Sequence, residues 1–175
     1  MTPRIFRAPR EPAVRRLLAG AKLPAADLTA SHFEHFFGCG AEDAPRGVVG
    51  LELHGSDALL RSLAVEPAAR GRGCATALVA QAEQHARLKG VGRLYLLTTT
   101  AADFFARLGY KKTERREAPE AIRATSEFST LCPASSVLMM KEIEMASAKQ
   151  KAAARRNIRK PLGKQAAKAA RRKRH

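Results

Sequence analysis

The sequence from residue 63 to residue 75 reads LAVEPAARGRGCA, and its character changes along its length. It starts in an apolar run that ends at Pro67, because proline has no N–H group to donate to a strand ladder. Gly71 and Gly73 follow, and small or apolar residues then recur at helical spacing up to Gly90, a residue typical of helix ends. The stretch predicts a strand, a glycine-rich turn and a long helix over residues 73–89.

The glycine-rich turn has the features of an anion-binding site. Gly71 and Gly73 let consecutive backbone N–H groups point toward one centre, and the helix N-terminus adds a partial positive charge. Arg70 and Arg72 add full charges, and the small Ala75 keeps the first helical turn close to a ligand. The turn therefore predicts a pyrophosphate site, and the alternative is a surface turn that needs glycine only for its backbone angles. A dinucleotide loop or a Walker loop fits less well, because the third glycine and the Gly-Lys-Ser/Thr are missing here.

Hydrophobic periodicity predicts further elements on both sides of this turn. The expected helices are Pro12 to Ala19, a short segment opening at Leu23-Pro24, residues 101–108 and Pro119 to Phe128. The expected strands are Phe33 to Phe37, Val48 to Leu53, Ala58 to Val65, Leu94 to Leu97, Lys111 to Arg116 and Val137 to Ile143. The turn at residues 54–57 joins two of these strands into an antiparallel hairpin.

Arg70, Gly73 and Ala75 match the Gln/Arg-x-x-Gly-x-Gly/Ala signature of the Gcn5-related N-acetyltransferase (GNAT) superfamily, which the chain resembles from about Arg10 to Lys141. The resemblance implies an α/β (α+β) fold with a mixed, splayed central sheet of six or seven strands and helices on both faces. It also implies that acetyl-CoA, and no metal, serves the reaction, and that the acetyl-CoA lies in a V-shaped opening of the sheet with its pantetheine on the strand backbone. The cofactor-binding residues that we expect are Leu63, Ala64, Val65, Arg70, Gly71, Arg72, Gly73, Cys74, Ala75 and Phe105.

Four segments carry a narrower resemblance, to the GNAT subgroup associated with arsenic resistance. They are residues 59–63, residues 94–101, residues 122–125 and residues 131–135. This resemblance implies that the acceptor is the amino group of a small toxic compound, such as an arsenical or a phosphinic amino-acid analogue. N-acetylation would then be a detoxification reaction.

The acid and base of such a reaction have several candidates in the sequence. Asp57, Glu52 and His54 are candidate bases beside the hairpin turn, and a chain of water molecules is an equal alternative. Many GNAT enzymes carry a tyrosine acid where this sequence has Phe104-Phe105, so that acid is excluded here. Tyr95 is its substitute if the side chain faces the cleft, and the alternative is that Tyr95 packs in the core. We expect a backbone N–H group within residues 63–65 to stabilise the oxyanion.

Acceptor binding is assigned to four further residues, Arg61, Thr98, Thr99 and Arg123. Arg61 interrupts an apolar strand and needs an anionic partner, either a carboxylate of the protein or the acid group of the acceptor. Arg123 lies on a predicted helix that could cover the acceptor. The threonines offer hydroxyl groups near the thioester sulfur, although Thr100 is also a typical helix cap.

Charge divides the chain into two parts. The formal net charge is +16, and residues 145–175 hold twelve Lys and Arg but no Asp or Glu. We expect one acetyltransferase domain over residues 1–144 and a basic tail over residues 145–175 that is largely disordered or partly helical. The tail suggests nonspecific, salt-dependent binding to nucleic acid or to an acidic surface. Alternatively the tail only aids solubility, or it recruits a protein acceptor whose N-terminus or lysine is acetylated.

The remaining features exclude several classes of protein. Three cysteines without paired spacing predict neither disulfides nor a zinc knuckle, and His32 and His35 have no nearby carboxylate motif, so no metal site is expected. Apolar runs are too short for a membrane span, and the N-terminus lacks an export signal, so we expect a cytoplasmic protein. We expect a monomer or a weak homodimer formed through an edge strand at Val137 to Ile143.

Overall fold

The computed structural model describes residues 2–144 and 146–158 and contains two units, Met1–Met145 and Ala146–His175. The first unit is built on one mixed sheet of seven strands in the order β1-β2-β3-β4-β5-β7-β6. The strands are β1 (Ile5–Arg7), β2 (Phe36–Gly40), β3 (Pro45–His54), β4 (Asp57–Val65), β5 (Arg93–Thr98), β6 (Lys111–Lys112) and β7 (Val137–Glu142). The helices of this unit are α1 (Glu11–Gly20), α2 (Ala30–Phe33), α3 (Cys74–Leu88), α4 (Ala102–Arg107) and α5 (Glu120–Arg123).

Helices cover both faces of the sheet. Along α3, the buried residues Leu78, Ala82 and Ala86 recur at helical spacing, and the helix packs against β3 and β4 in the largest hydrophobic cluster. On the opposite face, Val14 and Leu18 of α1 form a second cluster, and Ile122 of α5 belongs to a third. This arrangement confirms the fold predicted from the sequence.

The pairing of β4 creates the opening in the sheet. The strand pairs with β3 in an antiparallel hairpin over most of its length. Its parallel pairing with β5 covers only Asp57, Ala58 and Leu59, which lie opposite residues 93–95. Because the described ladder between β4 and β5 ends there, the two strands separate over Leu60–Val65, as the V-shaped opening requires.

The first predicted strand begins later than the sequence pattern suggested. Phe33 ends the short helix α2, and the strand starts at Phe36, which is completely buried. The ring of Phe36 occupies the space above Gly50, where a Cβ atom would lie 2.5 Å from it. The chain at Leu23-Pro24 is not helical. The short helix in this region is α2, which begins directly after Thr29. The side chain and backbone of Thr29 make reciprocal capping contacts with His32.

Two further predictions are corrected near the end of the domain. The predicted helix Pro119 to Phe128 is divided into α5 and a π-helical turn, Glu127–Leu131. The predicted edge strand is β7, which lies between β5 and β6 in the strand order, although among the described residues β6 pairs only with Met139 and Met140. The edges of the described sheet are β1 and β6.

The second unit contains α6 (Ala148–Ile158), within the predicted basic tail. Ser147 precedes this helix, and its Oγ accepts a hydrogen bond of 3.2 Å from the backbone N–H of Gln150. The rest of the predicted tail, from residue 159, lies outside the described residues. None of the helices in the described part of the chain is long and apolar enough to cross a membrane.

Candidate active site

A cavity of about 350 Å³ fills the opening between β4 and β5. Strand residues form its walls, and segments before α4 and after α5 close its sides. The lining consists of Lys22, Leu23, Pro24, Leu60, Arg61, Ser62, Leu63, Leu96, Leu97, Thr98, Thr99, Thr100, Ala101, Phe105, Glu127, Leu131, Cys132, Pro133 and Ser136. Of the predicted site residues, the structure thus brings Arg61, Leu63, Thr98, Thr99 and Phe105 together in what we call the acceptor cavity.

A β-bulge at Ser62 shapes this cavity. Ser62 has a φ of +60°, which is unusual for a residue other than glycine, and the register with β3 shifts beside it. Leu60 and Leu63 consequently both pack toward the α3 face, although three positions separate them. The bulge therefore shifts the in-and-out alternation of side chains along β4 by one residue. Arg61 lies on the face of the sheet opposite α3, whereas Leu63 lies on the α3 face.

The predicted anion site lies at the N-terminus of α3. Gly71 and Gly73 have φ values of +75° and +83°, so both adopt the left-handed conformation that favours glycine. The N–H group of Ala77 donates to the carbonyl of Gly73, whereas the N–H groups of residues 71–76 have no acceptor in the described part of the chain. These free donors form what we call the N–H cradle.

A second cavity, of about 330 Å³, adjoins the N–H cradle. It is lined by Val65, Ala69, Arg70, Gly71, Gly73, Cys74, Ala75, Thr76, Phe104 and Arg107. Arg107 was missed by the sequence analysis, whereas Arg72 is exposed and does not line the cavity. No atom lies within 4 Å of a Cβ built at Gly71, so the space beside the turn is open. Free N–H groups, two arginines and open space fit a diphosphate.

Arg61 lies at the centre of a buried ionic network. Its side chain is completely buried, and its Nη1 atom contacts Asp27 Oδ2 and Glu52 Oε1, both at 2.5 Å. Its Nη2 atom donates to Asp27 Oδ1 at 2.9 Å, and its Nε atom donates to Ser62 Oγ at 3.1 Å. Burial by itself raises the pKa of Asp27, but the hydrogen bond and the charge of Arg61 lower it below the ordinary value. Protein carboxylates, one of the two alternatives from the sequence, therefore hold Arg61.

Glu127 is the third carboxylate around Arg61, and it also lines the acceptor cavity. Its Oε1 atom lies 3.5 Å from Arg61 Nε, and only 6% of its side chain is exposed. Burial raises its pKa to about 7, because the attraction of Arg61 is outweighed by burial together with repulsion from Glu52 and Asp27. The sequence analysis missed this residue, although it lies between two segments that carried the narrower resemblance.

Ser136 completes the polar part of the acceptor cavity. Its Oγ atom is buried and is the one buried side-chain polar atom without a hydrogen-bond partner among the described residues. Arg115 anchors the preceding loop by donating to the carbonyl groups of Pro133 and Ser136, each at 3.1 Å. A buried hydroxyl without a partner costs free energy unless a ligand satisfies it.

The predicted acid and base candidates lie elsewhere. Asp57 is at the hairpin end of β4 and pairs with Arg93 at 3.0 Å. Tyr95 is buried in the third hydrophobic cluster with Leu59, and burial raises its pKa. Glu52 belongs to the Arg61 network and lies 3.5 Å from His54. None of these four lines the acceptor cavity, which argues against the predicted roles for Asp57, Glu52, His54 and Tyr95.

Other predicted residues also have structural roles. Thr98 lines the acceptor cavity, and its Oγ1 accepts a hydrogen bond of 2.9 Å from the N–H of Ala101 ahead of α4. Arg123 is exposed on α5 and does not line the cavity. Cys74 is buried at the start of α3, and burial together with Cys39 raises the pKa of its thiol, which makes it a poor nucleophile.

One surface cluster corrects the expectation that His32 has no carboxylate near it. Asp27, His32 and Glu52 place potential ligand atoms within 4.8 Å of one another. Both carboxylates already bind Arg61, and the Nδ1 atom of His32 accepts the N–H of Thr29. The donor set is thus an ion-pair network around a guanidinium, and we assign no metal to it.

Comparison with known proteins identifies the type of domain. Residues 32–112 match the family model of the acetyltransferase (GNAT) domain. A sequence comparison with curated proteins gave no match.

Solved structures share the fold at low sequence identity. N-acetylglutamate synthase from Neisseria gonorrhoeae, complexed with coenzyme A and N-acetyl-glutamate, has a TM-score of 0.71 at 20% identity over 84% of this chain. The chain spans only 36% of that synthase. Rv2747 from Mycobacterium tuberculosis, in complex with CoA and NLQ, has a TM-score of 0.67 at 22% identity, covering 81% of this chain and 99% of its own. The ribosomal-protein-S18-alanine N-acetyltransferase from Escherichia coli has a TM-score of 0.61 at 15% identity over 84% of this chain and 97% of its own.

The splayed sheet, the N–H cradle before α3 and the family match agree with one another. Residues 32–112 therefore match an acetyltransferase domain of the GNAT type.

Proposed function

We propose that the chain is an acetyl-CoA-dependent N-acetyltransferase that acetylates the amino group of a small molecule. The observation that carries this proposal is the presence of two cavities along β4 where it separates from β5, one with free N–H donors and one with a buried carboxylate. The first fits the diphosphate of acetyl-CoA, and the second fits an amine. Solved relatives bind coenzyme A on the same fold, which supports the choice of donor.

Residues of this chain divide the task of holding the donor. The N–H groups of residues 71–76, with Arg70 and Arg107, would hold the diphosphate. The backbone of Leu63–Val65, which lies beyond the ladder with β5, would hold the pantetheine and offer an N–H group to the oxyanion. Acetyl-CoA supplies an acyl carbon activated as a thioester. Overall, an alkylammonium ion and acetyl-CoA give the N-acetylated amine, coenzyme A with its thiol protonated, and one proton.

The size and chemistry of the acceptor cavity favour a small molecule. Its volume of about 350 Å³ must hold both the reacting end of the donor and the acceptor. Apolar side chains such as Leu23, Leu97 and Leu131 form much of its wall, and they exclude water from the reacting groups. A small amine with an apolar portion satisfies this lining.

An arsenical or a phosphinic amino-acid analogue remains our specific proposal for the acceptor, with detoxification as the role. Three of the four segments behind that resemblance contribute to the cavity, through Arg61, Thr98 and Cys132. Because Arg61 is held by protein carboxylates, Lys22 at the mouth is the cation left to receive the acid group of such a compound. Lys22 is exposed, so its contribution to affinity would be modest.

The basic tail supports a second candidate function. Twelve Lys and Arg without an acidic residue favour an acidic or nucleic-acid surface, which could deliver a protein acceptor to the enzyme. The similar Escherichia coli enzyme is named for acetylating an alanine of a ribosomal protein. Part of the tail forms α6, and residues 159–175 lie outside the described structure.

The test is acetyl-CoA-dependent release of free thiol with a panel of small amines that includes arsenical and phosphinic glutamate analogues. The proteins are wild type, Gly73→Glu, Gly90→Glu and a chain ending at Glu144. Gly90 is the matched control, because it has a φ of +84° and open space around it but lies at the far end of α3. Turnover that survives in the shortened chain and in Gly90→Glu but is lost in Gly73→Glu supports the proposal. Silence across the panel, with acetyl-CoA bound, favours a protein acceptor.

A further inference from the structure

We propose that Glu127 and Ser136 form the docking site for the acceptor ammonium group, and that Glu127 removes its proton before the reaction. This inference rests on the proposed function and adds the residues that select and activate the amine. Both residues line the acceptor cavity, and neither was expected from the sequence.

The carboxylate of Glu127 keeps unused hydrogen-bond acceptor positions although the side chain is buried. Within the described residues its carboxylate makes no hydrogen bond, and its closest charged contact is the 3.5 Å approach to Arg61 Nε. Asp27 and Glu52, in contrast, both accept hydrogen bonds from Arg61 Nη1. The guanidinium is therefore committed to two carboxylates, and the third keeps acceptor capacity for a ligand.

Ser136 supplies an independent observation that points to a ligand. Its buried Oγ atom has no hydrogen-bond partner in the part of the chain described. Arg115 fixes the loop that carries Ser136 by donating hydrogen bonds to the carbonyl groups of Pro133 and Ser136. A hydroxyl can accept one N–H of an ammonium group while a carboxylate accepts another. An amine in the cavity would thus satisfy the one buried side-chain polar atom that is unpaired among residues 2–144 and 146–158.

The charge of the surroundings favours a cation. Three carboxylates surround the one guanidinium of Arg61, and Glu127 is the carboxylate of this network that lines the acceptor cavity. The raised pKa of Glu127, about 7, places its protonation in the range where a base can both accept and release a proton. The balance is simple: the ammonium ion gives one proton to the Glu127 carboxylate, the neutral amine remains, and Glu127 later releases that proton to solvent. The site selects a small primary amine that enters as its ammonium form.

The first experiment follows the Glu127 carboxyl by carbon NMR in the full chain, with ethylammonium chloride as the probe. The resonance of wild type should titrate near pH 7, and the probe should lower that pKa, because a bound cation favours the ionised carboxylate. In Ser136→Ala the probe should cause a smaller shift. A Glu127 pKa that does not respond to the probe, in protein that binds acetyl-CoA by calorimetry, would overturn the inference.

The second experiment compares turnover of Glu127→Gln, Glu127→Asp and Glu120→Gln, using the panel amine that wild type acetylates best. Glu120 is an exposed residue of α5 and serves as the control. Glu127→Gln should lose on the order of 100-fold in kcat and lose the rise in rate through pH 7, while Glu127→Asp should recover part of both. Unchanged turnover in Glu127→Gln overturns the inference, whereas wild type that fails to bind acetyl-CoA overturns the proposed function instead.

Discussion

The N–H cradle and the acceptor cavity are built in opposite ways. The cradle uses backbone N–H groups from one continuous stretch, residues 71–76, with Gly71 and Gly73 setting its conformation. The acceptor cavity uses side chains from separate elements, including Arg61 of β4, Glu127 of the π-helical turn and Ser136 before β7. A binding site made of consecutive backbone groups is visible as a motif in the sequence. A site assembled from side chains of separate elements is not.

Removing Arg61 should have the largest effect, because the acceptor cavity depends on its charge. Arg61→Ala leaves the buried Glu127 and the partly buried Asp27 and Glu52 as neighbouring carboxylates without a cation, and we expect a loss of about 3–5 kcal/mol in the free energy of unfolding at pH 7. Urea denaturation measures this loss. Arg123→Ala, at an exposed arginine, should change stability by less than about 0.5 kcal/mol.

The same variant has a pH dependence of known sign. Arg61 lowers the pKa of Asp27, so its contribution to stability is present above the unfolded pKa and is lost as the pH falls through the folded value. Without Arg61 the three carboxylates repel one another when ionised, and protonation relieves that repulsion. The stability deficit of Arg61→Ala should therefore shrink between pH 7 and pH 4. A deficit that is constant over this range would contradict the network as the cause.

Gly73→Glu tests the cradle alone. The substitution forces a side chain into a φ of +83° and adds a negative charge beside the free N–H groups, so acetyl-CoA affinity should fall on the order of 100-fold. Isothermal calorimetry gives the affinity, with Gly90→Glu as the control for the backbone strain. Equal losses in both variants would show that strain, and not the cradle, causes the effect.

Ser62→Val tests the bulge that joins the two regions. A β-branched residue at a φ of +60° should cost about 1–3 kcal/mol in unfolding free energy, and the hydrogen bond from Arg61 Nε is lost as well. Ser62→Gly accepts the conformation and loses only the hydrogen bond. Thermal denaturation should therefore rank Ser62→Val well below Ser62→Gly, and the reverse order would contradict the strained bulge.

Asp57→Asn and Tyr95→Phe should have the smallest effects on turnover. Both residues lie outside the acceptor cavity, and the partner of Asp57, Arg93, has a half-exposed side chain. We expect kcat within about twofold of wild type for each, since neither touches the reacting groups, and less than about 1 kcal/mol from the loss of the ion pair. A large fall in kcat for either variant would restore the candidates that the sequence suggested.

Sequence patterns were sufficient where structure is local. The hairpin of β3 and β4, the helix after Gly73 and the strand β5 follow from alternation, helical spacing and glycine positions. The division of Pro119 to Phe128 could not be foreseen, because the sequence pattern does not show that the acidic residue Glu127 is buried in a π-helical turn. Register within the sheet was equally hidden, so β7 was placed at an edge although β6 pairs beside it.

The candidate site divides in the same way. Arg70 and Gly73 were predicted because they match a motif, and Gly71 lies between them. Glu127 and Ser136 were missed because their roles depend on burial and on neighbours distant in sequence. Asp57 was one of the candidate bases because it lies beside a turn, yet that turn lies at the paired end of β4 and β5 and not at the opening.

The most direct test of this division measures acetyl-CoA affinity and thiol release side by side for Gly73→Glu and Glu127→Gln. Gly73→Glu should lose acetyl-CoA binding and, with it, thiol release. Glu127→Gln should bind acetyl-CoA as wild type does and lose thiol release on the order of 100-fold. Loss of acetyl-CoA binding in Glu127→Gln, or full thiol release in either variant, would contradict the assignment of donor and acceptor to these two regions.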